Sequence, residues 1–125
     1  MKGRGITYRG LLAVATAAIA FGLVQAATAL GGAESSATRG VSVRDDFFSP
    51  KRLTVDAGDR VRWTWREEGD HNVRFRKVPR GVSRRPGSRT KTSGTFSRKL
   101  RRRGSYRYVC TIHEDLGMTG SVKVE

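Results

Sequence analysis

The feature that most constrains the fold is a series of short stretches, within residues 41–125, in which apolar and polar residues alternate. The clearest is residues 60–65, where Val61, Trp63 and Trp65 occupy one parity and basic or hydroxyl residues occupy the other. Such alternation is typical of a β-strand with one buried face. Turn residues separate the stretches and no window shows a helical period, so the sequence predicts an all-β fold, an antiparallel sandwich of short strands.

The first 29 residues differ in character from the rest of the chain. Lys2, Arg4 and Arg9 form a basic start, and no charged residue follows from position 10 to position 33. This layout is typical of a secretory signal peptide, with small residues between positions 26 and 33 that suit cleavage about equally well. An uncleaved membrane anchor is the alternative, because the charge-free stretch is long enough to cross a bilayer. Both interpretations place the folded part outside the cytoplasm, in the periplasm, at the cell surface or in the medium.

The remainder of the chain is predicted to form a linker and one domain. Residues 30–40 are rich in Gly, Ala, Ser and Thr, which is typical of a linker. Residues 41–125 follow as a single domain, since a chain of 125 residues leaves little room for a second. Within it, residues 78–94 are irregular and rich in Gly, Pro, Ser and Arg, and they are predicted to form a long exposed loop.

Four side chains that bind soft metal ions form the most specific pattern in the sequence. Cys110, His113 and Met118 stand at Cys-x2-His-x4-Met spacing, and His71 lies 39 residues before the Cys. They include the only Cys, both His and the only Met besides the initiator. Two imidazoles and a thiolate in a plane, with a weak axial thioether, form the donor set of a blue copper site. The sequence therefore predicts one copper ion, with Met118 as the axial ligand.

Two other interpretations of these residues remain open. Cys110 is a structural core residue in the simplest of them, since free Cys is often buried. Alternatively, Glu114 and Asp115 join Cys110 and His113 around zinc. A tetrahedral zinc site would leave Met118 without a purpose, so copper is favoured.

At these residues the chain resembles the cupredoxins, specifically the plastocyanin-like small blue (type 1) copper proteins. Besides the ligand motif, the resemblance rests on Phe47-Phe48-Ser49-Pro50, Leu53 to Asp59 with Val61 and Trp63, Asp70-His71-Asn72-Val73, and Gly104-Ser105-Tyr106 with Tyr108. It implies a Greek-key β-sandwich of about seven strands, with copper bound by His71, Cys110, His113 and Met118. It also implies that Asn72 and Thr111 tie the two ligand-bearing loops together.

Charge is distributed unevenly along the chain. The formal net charge is +14, and residues 71–113 contain 14 basic residues and no acidic one. A solvated Arg-rich face is one interpretation, and the other is a docking surface for an acidic redox partner, an anionic envelope polymer or a membrane. The candidate docking residues are Arg74, Arg76, Lys77, Arg84, Arg85, Arg98, Lys99, Arg101, Arg102 and Arg103. A nucleic-acid partner is disfavoured, because the domain is exported and shows neither a reading helix nor an aromatic platform.

The sequence thus predicts an exported, monomeric electron carrier that shuttles single electrons between redox partner proteins through Cu(II)/Cu(I), and not an enzyme. Two alternatives belong to other classes. One is an envelope copper-binding protein for copper delivery or protection, and the other is a secreted polyanion-binding module with an incidental metal site.

Overall fold

The structure, a computed structural model, describes residues 35–125. The predicted signal peptide and the first part of the predicted linker lie outside the described residues. In the range that the structure describes, no helix is long and apolar enough to span a membrane.

Eight strands and one short 3-10 helix form the domain. The strands are β1 (Thr38–Arg44), β2 (Phe47–Ser49), β3 (Arg52–Val55), β4 (Arg60–Trp65), β5 (Arg74–Lys77), β6 (Thr95–Lys99), β7 (Gly104–Val109) and β8 (Thr119–Val124). The helix, Glu114–Leu116, lies between β7 and β8. Because β1 begins at Thr38, residues 38–40 belong to a strand and not to the predicted linker.

The strands form two four-stranded sheets, in the orders β2-β1-β4-β6 and β3-β8-β7-β5. The prediction of an all-β sandwich is confirmed. The prediction of antiparallel pairing is wrong for two strand pairs, since β1 pairs with β4, and β3 with β8, in parallel. Alternating polarity shows which face a strand buries but not the direction of its neighbour, so the sequence pattern could not reveal these parallel pairs.

Aromatic side chains join the two sheets. Trp63 on β4 is fully buried, and its ring centroid lies 5.9 Å from that of Phe75 on β5 and 5.2 Å from that of Tyr108 on β7, both edge-on. Trp65 is also buried, which confirms that both Trp residues belong to the core. Burial raises the pKa of Tyr108 to about 12, so its phenol is neutral at physiological pH. The strands that lead to His71 and Cys110 are therefore anchored on one aromatic cluster.

Arg98 on β6 corrects the predicted docking surface, because it is only 9% exposed. Its guanidinium donates hydrogen bonds to the carbonyl oxygens of Ser83, Arg84 and Pro86 at 2.6, 3.3 and 3.2 Å. It also lies over the Phe75 ring, 4.5 Å from the centroid. Carbonyl groups from the β5–β6 loop satisfy this charge inside the protein, so the prediction that Arg98 belongs to an exposed surface is wrong.

Candidate metal centre

Three of the predicted ligands lie on the connection between β7 and β8. Cys110 directly follows β7, and Met118 directly precedes β8. The Cys110 N–H donates to the Met118 carbonyl at 3.0 Å, and the Met118 N–H donates to the His113 carbonyl at 3.2 Å. The antiparallel pairing of the two strands therefore closes the loop so that these three residues are neighbours.

The fourth predicted ligand arrives from the connection between β4 and β5. β5 pairs antiparallel with β7, and Arg74 at the start of β5 faces Val109 at the end of β7. His71, just before β5, consequently lies beside Cys110, just after β7. Two backbone hydrogen bonds between His71 and Lys91, of 3.1 and 3.0 Å, fix the chain at this point.

The donor atoms converge on one position. Cys110 Sγ lies 3.6 Å from His113 Nδ1 and 3.9 Å from His71 Nδ1, and the three atoms all lie within 4.8 Å of one another. Atoms that bind a common metal ion at about 2.0–2.3 Å lie roughly 3.5–4 Å apart. The observed spacing therefore fits a single ion held by two imidazoles and one thiolate.

The chemistry of the surrounding residues favours copper over zinc. Met118 is fully buried, and its backbone is hydrogen-bonded to Cys110 and His113, so a soft thioether belongs to the same loop as two of the three donors. Glu114 instead forms an ion pair with Arg76 at 2.7 Å. Within residues 35–125, no carboxylate belongs to a converging group of metal-binding side chains, so neither Glu114 nor Asp115 joins this set.

Asn72 links the two loops that carry the donors. Its side chain is buried, and Nδ2 donates to Thr111 Oγ1 at 2.8 Å and to Thr90 Oγ1 at 3.0 Å. The Thr111 N–H donates in return to Asn72 Oδ1 at 2.9 Å. Residues next to His71 and next to Cys110 are thereby held together without any contribution from a metal ion.

Replacing Asn72 with Ala should lower the free energy of unfolding of the copper-free protein by about 1–3 kcal/mol, because Thr111 loses partners for both its N–H and its hydroxyl. Urea denaturation followed by circular dichroism measures the change. Thr90→Val is the matched control, since it removes only one of the three hydrogen bonds. An Asn72→Ala variant that unfolds at the same urea concentration as the wild type would contradict this role.

Two carboxylates that the sequence analysis missed lie next to the imidazoles. Asp45 Oδ1 is 3.4 Å from His71 Nε2, and Asp46 Oδ1 is 3.9 Å from His113 Nε2. Both residues belong to the turn between β1 and β2. Since the Nδ1 atoms face Cys110, each carboxylate faces the opposite nitrogen of its ring. A carboxylate in this position orients a metal-binding imidazole and increases its basicity.

The turn that carries Asp45 is itself fixed by Glu67. Asp45 donates its backbone N–H to Glu67 Oε2 at 2.9 Å, and Arg44 pairs with Glu67 Oε1 at 2.7 Å. These two contacts lower the pKa of Glu67, which therefore remains ionised at neutral pH. The position of Asp45 beside His71 thus depends on a contact with the connection that follows β4.

Solvent reaches the three donors unequally. Cys110 and His71 are buried, whereas the His113 side chain is 24% exposed. Ile112 and Leu116, on the same loop, are large apolar side chains that face solvent. The exposed edge of the site is therefore the His113 imidazole.

The predicted basic docking residues divide into two clusters. Arg74, Arg76, Arg84 and Arg85 line one groove together with Thr111. A separate hollow contains Lys99, Arg101 and Arg103 together with Asp56, Asp59 and Glu125. Arg103 precedes β7 and Thr111 follows it closely, and a strand of six residues is about 20 Å long. Lys77 and Arg102 are also exposed, each beside one of these clusters.

The chain is similar in sequence and in structure to known copper-binding proteins. A sequence model of the copper binding proteins of the plastocyanin/azurin family matches residues 37–125. Plastocyanin from Prochlorothrix hollandica is 41% identical over 83 residues, which cover 63% of this chain and 63% of that protein. Amicyanin-alpha from Methylorubrum extorquens is 32% identical over 124 residues, which cover 98% and 99%. Among solved structures, oxidised plastocyanin from Dryopteris crassirhizoma is 27% identical with a TM-score of 0.58, and the match covers 70% of this chain and 100% of that one.

Proposed function

Because the chain belongs to the plastocyanin/azurin family of copper-binding proteins, we propose that it is an exported blue copper protein that carries single electrons between redox partners. The observation that supports this most directly is the convergence of three donor atoms. Cys110 Sγ lies 3.9 Å from His71 Nδ1 and 3.6 Å from His113 Nδ1. Soft thiolate and imidazole donors in this arrangement suit copper in both of its common oxidation states.

His71, Cys110 and His113 would hold the ion, together with the thioether of Met118. When bound, copper supplies a centre that alternates between Cu(II) and Cu(I) by one electron. The protein contributes rigidity, since the Asn72–Thr111 hydrogen bonds tie together the two loops that carry the donors. Buried Cys110 and Met118 also exclude water from the site. Little then has to move when the charge of the centre changes, which favours rapid electron transfer.

A carrier is favoured over an enzyme by the number of donors. A catalytic metal site keeps a coordination position open for water or substrate. Four protein ligands, three of them fully buried, would leave no such position. The partially exposed His113 would instead be the point at which a redox partner comes close enough to exchange an electron with the site.

The test of this function is reversibility. Cu(II) is added to the purified domain, and cyclic voltammetry is expected to show a reversible one-electron wave. The visible absorption should disappear with a reductant and return with an oxidant over repeated cycles. A colourless Cu(I) protein that cannot be reoxidised would contradict the carrier function and favour copper delivery.

Replacing Asp45 with Asn should raise the reduction potential and weaken Cu(II) binding about tenfold, because a carboxylate 3.4 Å from His71 Nε2 stabilises the more positive oxidation state. Voltammetry and competition with a chelator measure the two effects. Asp56→Asn is the control, since it removes an equal charge from the turn between β3 and β4. Equal potentials for the two variants would show that only the net charge matters and that Asp45 has no specific role.

A further inference from the structure

A basic groove lies beside the ligand-bearing loop. Its volume is about 370 Å³, and Arg74, Arg76, Arg84 and Arg85 line it together with Thr111. All four arginines are exposed. One side of the groove is therefore formed by β5, and the other by the loop that follows β5.

The backbone that carries Arg84 and Arg85 is held firmly against the domain. Arg98 donates hydrogen bonds to three carbonyl groups of residues 83–86. Ser88 bonds to Val73 through both its N–H, at 2.9 Å, and its hydroxyl, at 2.8 Å. Between them, Gly87 packs so closely that a Cβ would lie 2.6 Å from the Val73 carbonyl oxygen. This fixed backbone lowers the entropic cost of holding a ligand between the two walls.

Most of the charge in the groove is not neutralised by the protein. No acidic side chain lines it. Arg76 pairs with Glu114 at 2.7 Å, whereas Arg74, Arg84 and Arg85 form no ion pair with any residue in the range 35–125. Guanidinium groups bind carboxylates well because two parallel hydrogen bonds can form. In the Arg76–Glu114 pair, a carboxylate from outside the groove lining already binds one of these arginines.

We propose that this groove docks an acidic segment of a partner protein. The inference rests on the proposed electron-carrier function for the role of that partner, and on charge complementarity for its chemistry. A concave site with fixed walls suits projecting Glu or Asp side chains better than a flat membrane surface. Thr111 adjoins Cys110, so a partner bound here lies one residue along the chain from a proposed copper ligand.

The test uses isotope-labelled, copper-free protein, titrated at low ionic strength with a blocked hexaglutamate peptide and followed by NMR. The backbone amide signals of Arg84, Arg85 and Thr111 are expected to shift. R84E/R85E should weaken binding at least about tenfold. R101E/R103E changes the net charge equally at the other cluster and should keep the affinity within about twofold, since remote charges are screened. Well-dispersed spectra confirm that both variants fold.

Three outcomes would overturn the proposal. Equal weakening in the two double variants would indicate an effect of overall charge. Inorganic phosphate that binds as tightly as the peptide would indicate a site for a small anion. Vesicles of anionic phospholipid that bind through Arg84 and Arg85, when the peptide causes no shifts, would indicate a membrane surface. Because the titrations use copper-free protein, none of these results bears on the voltammetric test of electron transfer. Failure of the voltammetric test likewise leaves the peptide titration valid.

Discussion

Copper-loaded Cys110→Ser is expected to be nearly colourless, whereas the wild-type protein should be intensely blue or green. The strong visible band of such a site arises from charge transfer between a thiolate and Cu(II), and a serine hydroxyl cannot supply it. Cys110 contributes the only sulfur among the three converging donors. The visible spectrum, recorded at equal copper content, measures the loss. Copper affinity should fall as well, as measured by competition with a chelator.

Thr111→Ser is the matched control for this substitution. It creates the same side chain at the neighbouring position and keeps the hydroxyl that accepts from Asn72. The control should retain the visible band at nearly full intensity. A Cys110→Ser protein with an undiminished band would show that the colour has another source, and the ligand assignment would then be wrong.

Trp63→Ala should lower the free energy of unfolding of the copper-free protein by about 3–5 kcal/mol, the range for removal of a large buried aromatic side chain. Trp63 is fully buried and contacts Phe75 and Tyr108 across the sandwich, as well as Phe96 in its own sheet at 5.5 Å. Its removal would leave a cavity at the point where the two sheets are joined. Urea denaturation monitored by circular dichroism measures the loss.

Arg62→Ala is the control for Trp63, because Arg62 is the preceding residue of β4 and points to solvent. It should change the free energy of unfolding by no more than about 0.5 kcal/mol. If Trp63→Ala fails to fold, Trp63→Phe should show a smaller loss in the same direction. A loss below about 1 kcal/mol for Trp63→Ala would contradict a central role in the core.

The donor residues could be predicted because their residue types are rare in this chain. One Cys and two His leave few combinations, and the spacing of Cys110, His113 and Met118 matches one kind of site. Strand periodicity then identified the buried faces of β4 and β7. These inferences succeed because the side chains that act together either lie close in sequence or belong to residue types that occur only once or twice in the chain.

Features that depend on contacts between distant segments were not predictable. Asp45 lies 26 residues from His71, and nothing in a pair of acidic residues at a turn indicates an imidazole as the neighbour. Arg98 looked like any other Arg in a basic stretch, and only the folded loop shows the carbonyl groups that bury it. The parallel pairs β1–β4 and β3–β8 likewise depend on how the sheets assemble.

The unequal exposure of the three donors has a consequence for how the metal centre matures. The Cys110 thiol and the His71 imidazole are enclosed, and only His113 meets solvent. We therefore expect an ion that enters the folded domain to meet the His113 imidazole before the other two donors. Until an ion is bound, the enclosed Cys110 thiol is shielded from oxidants in the surrounding solution.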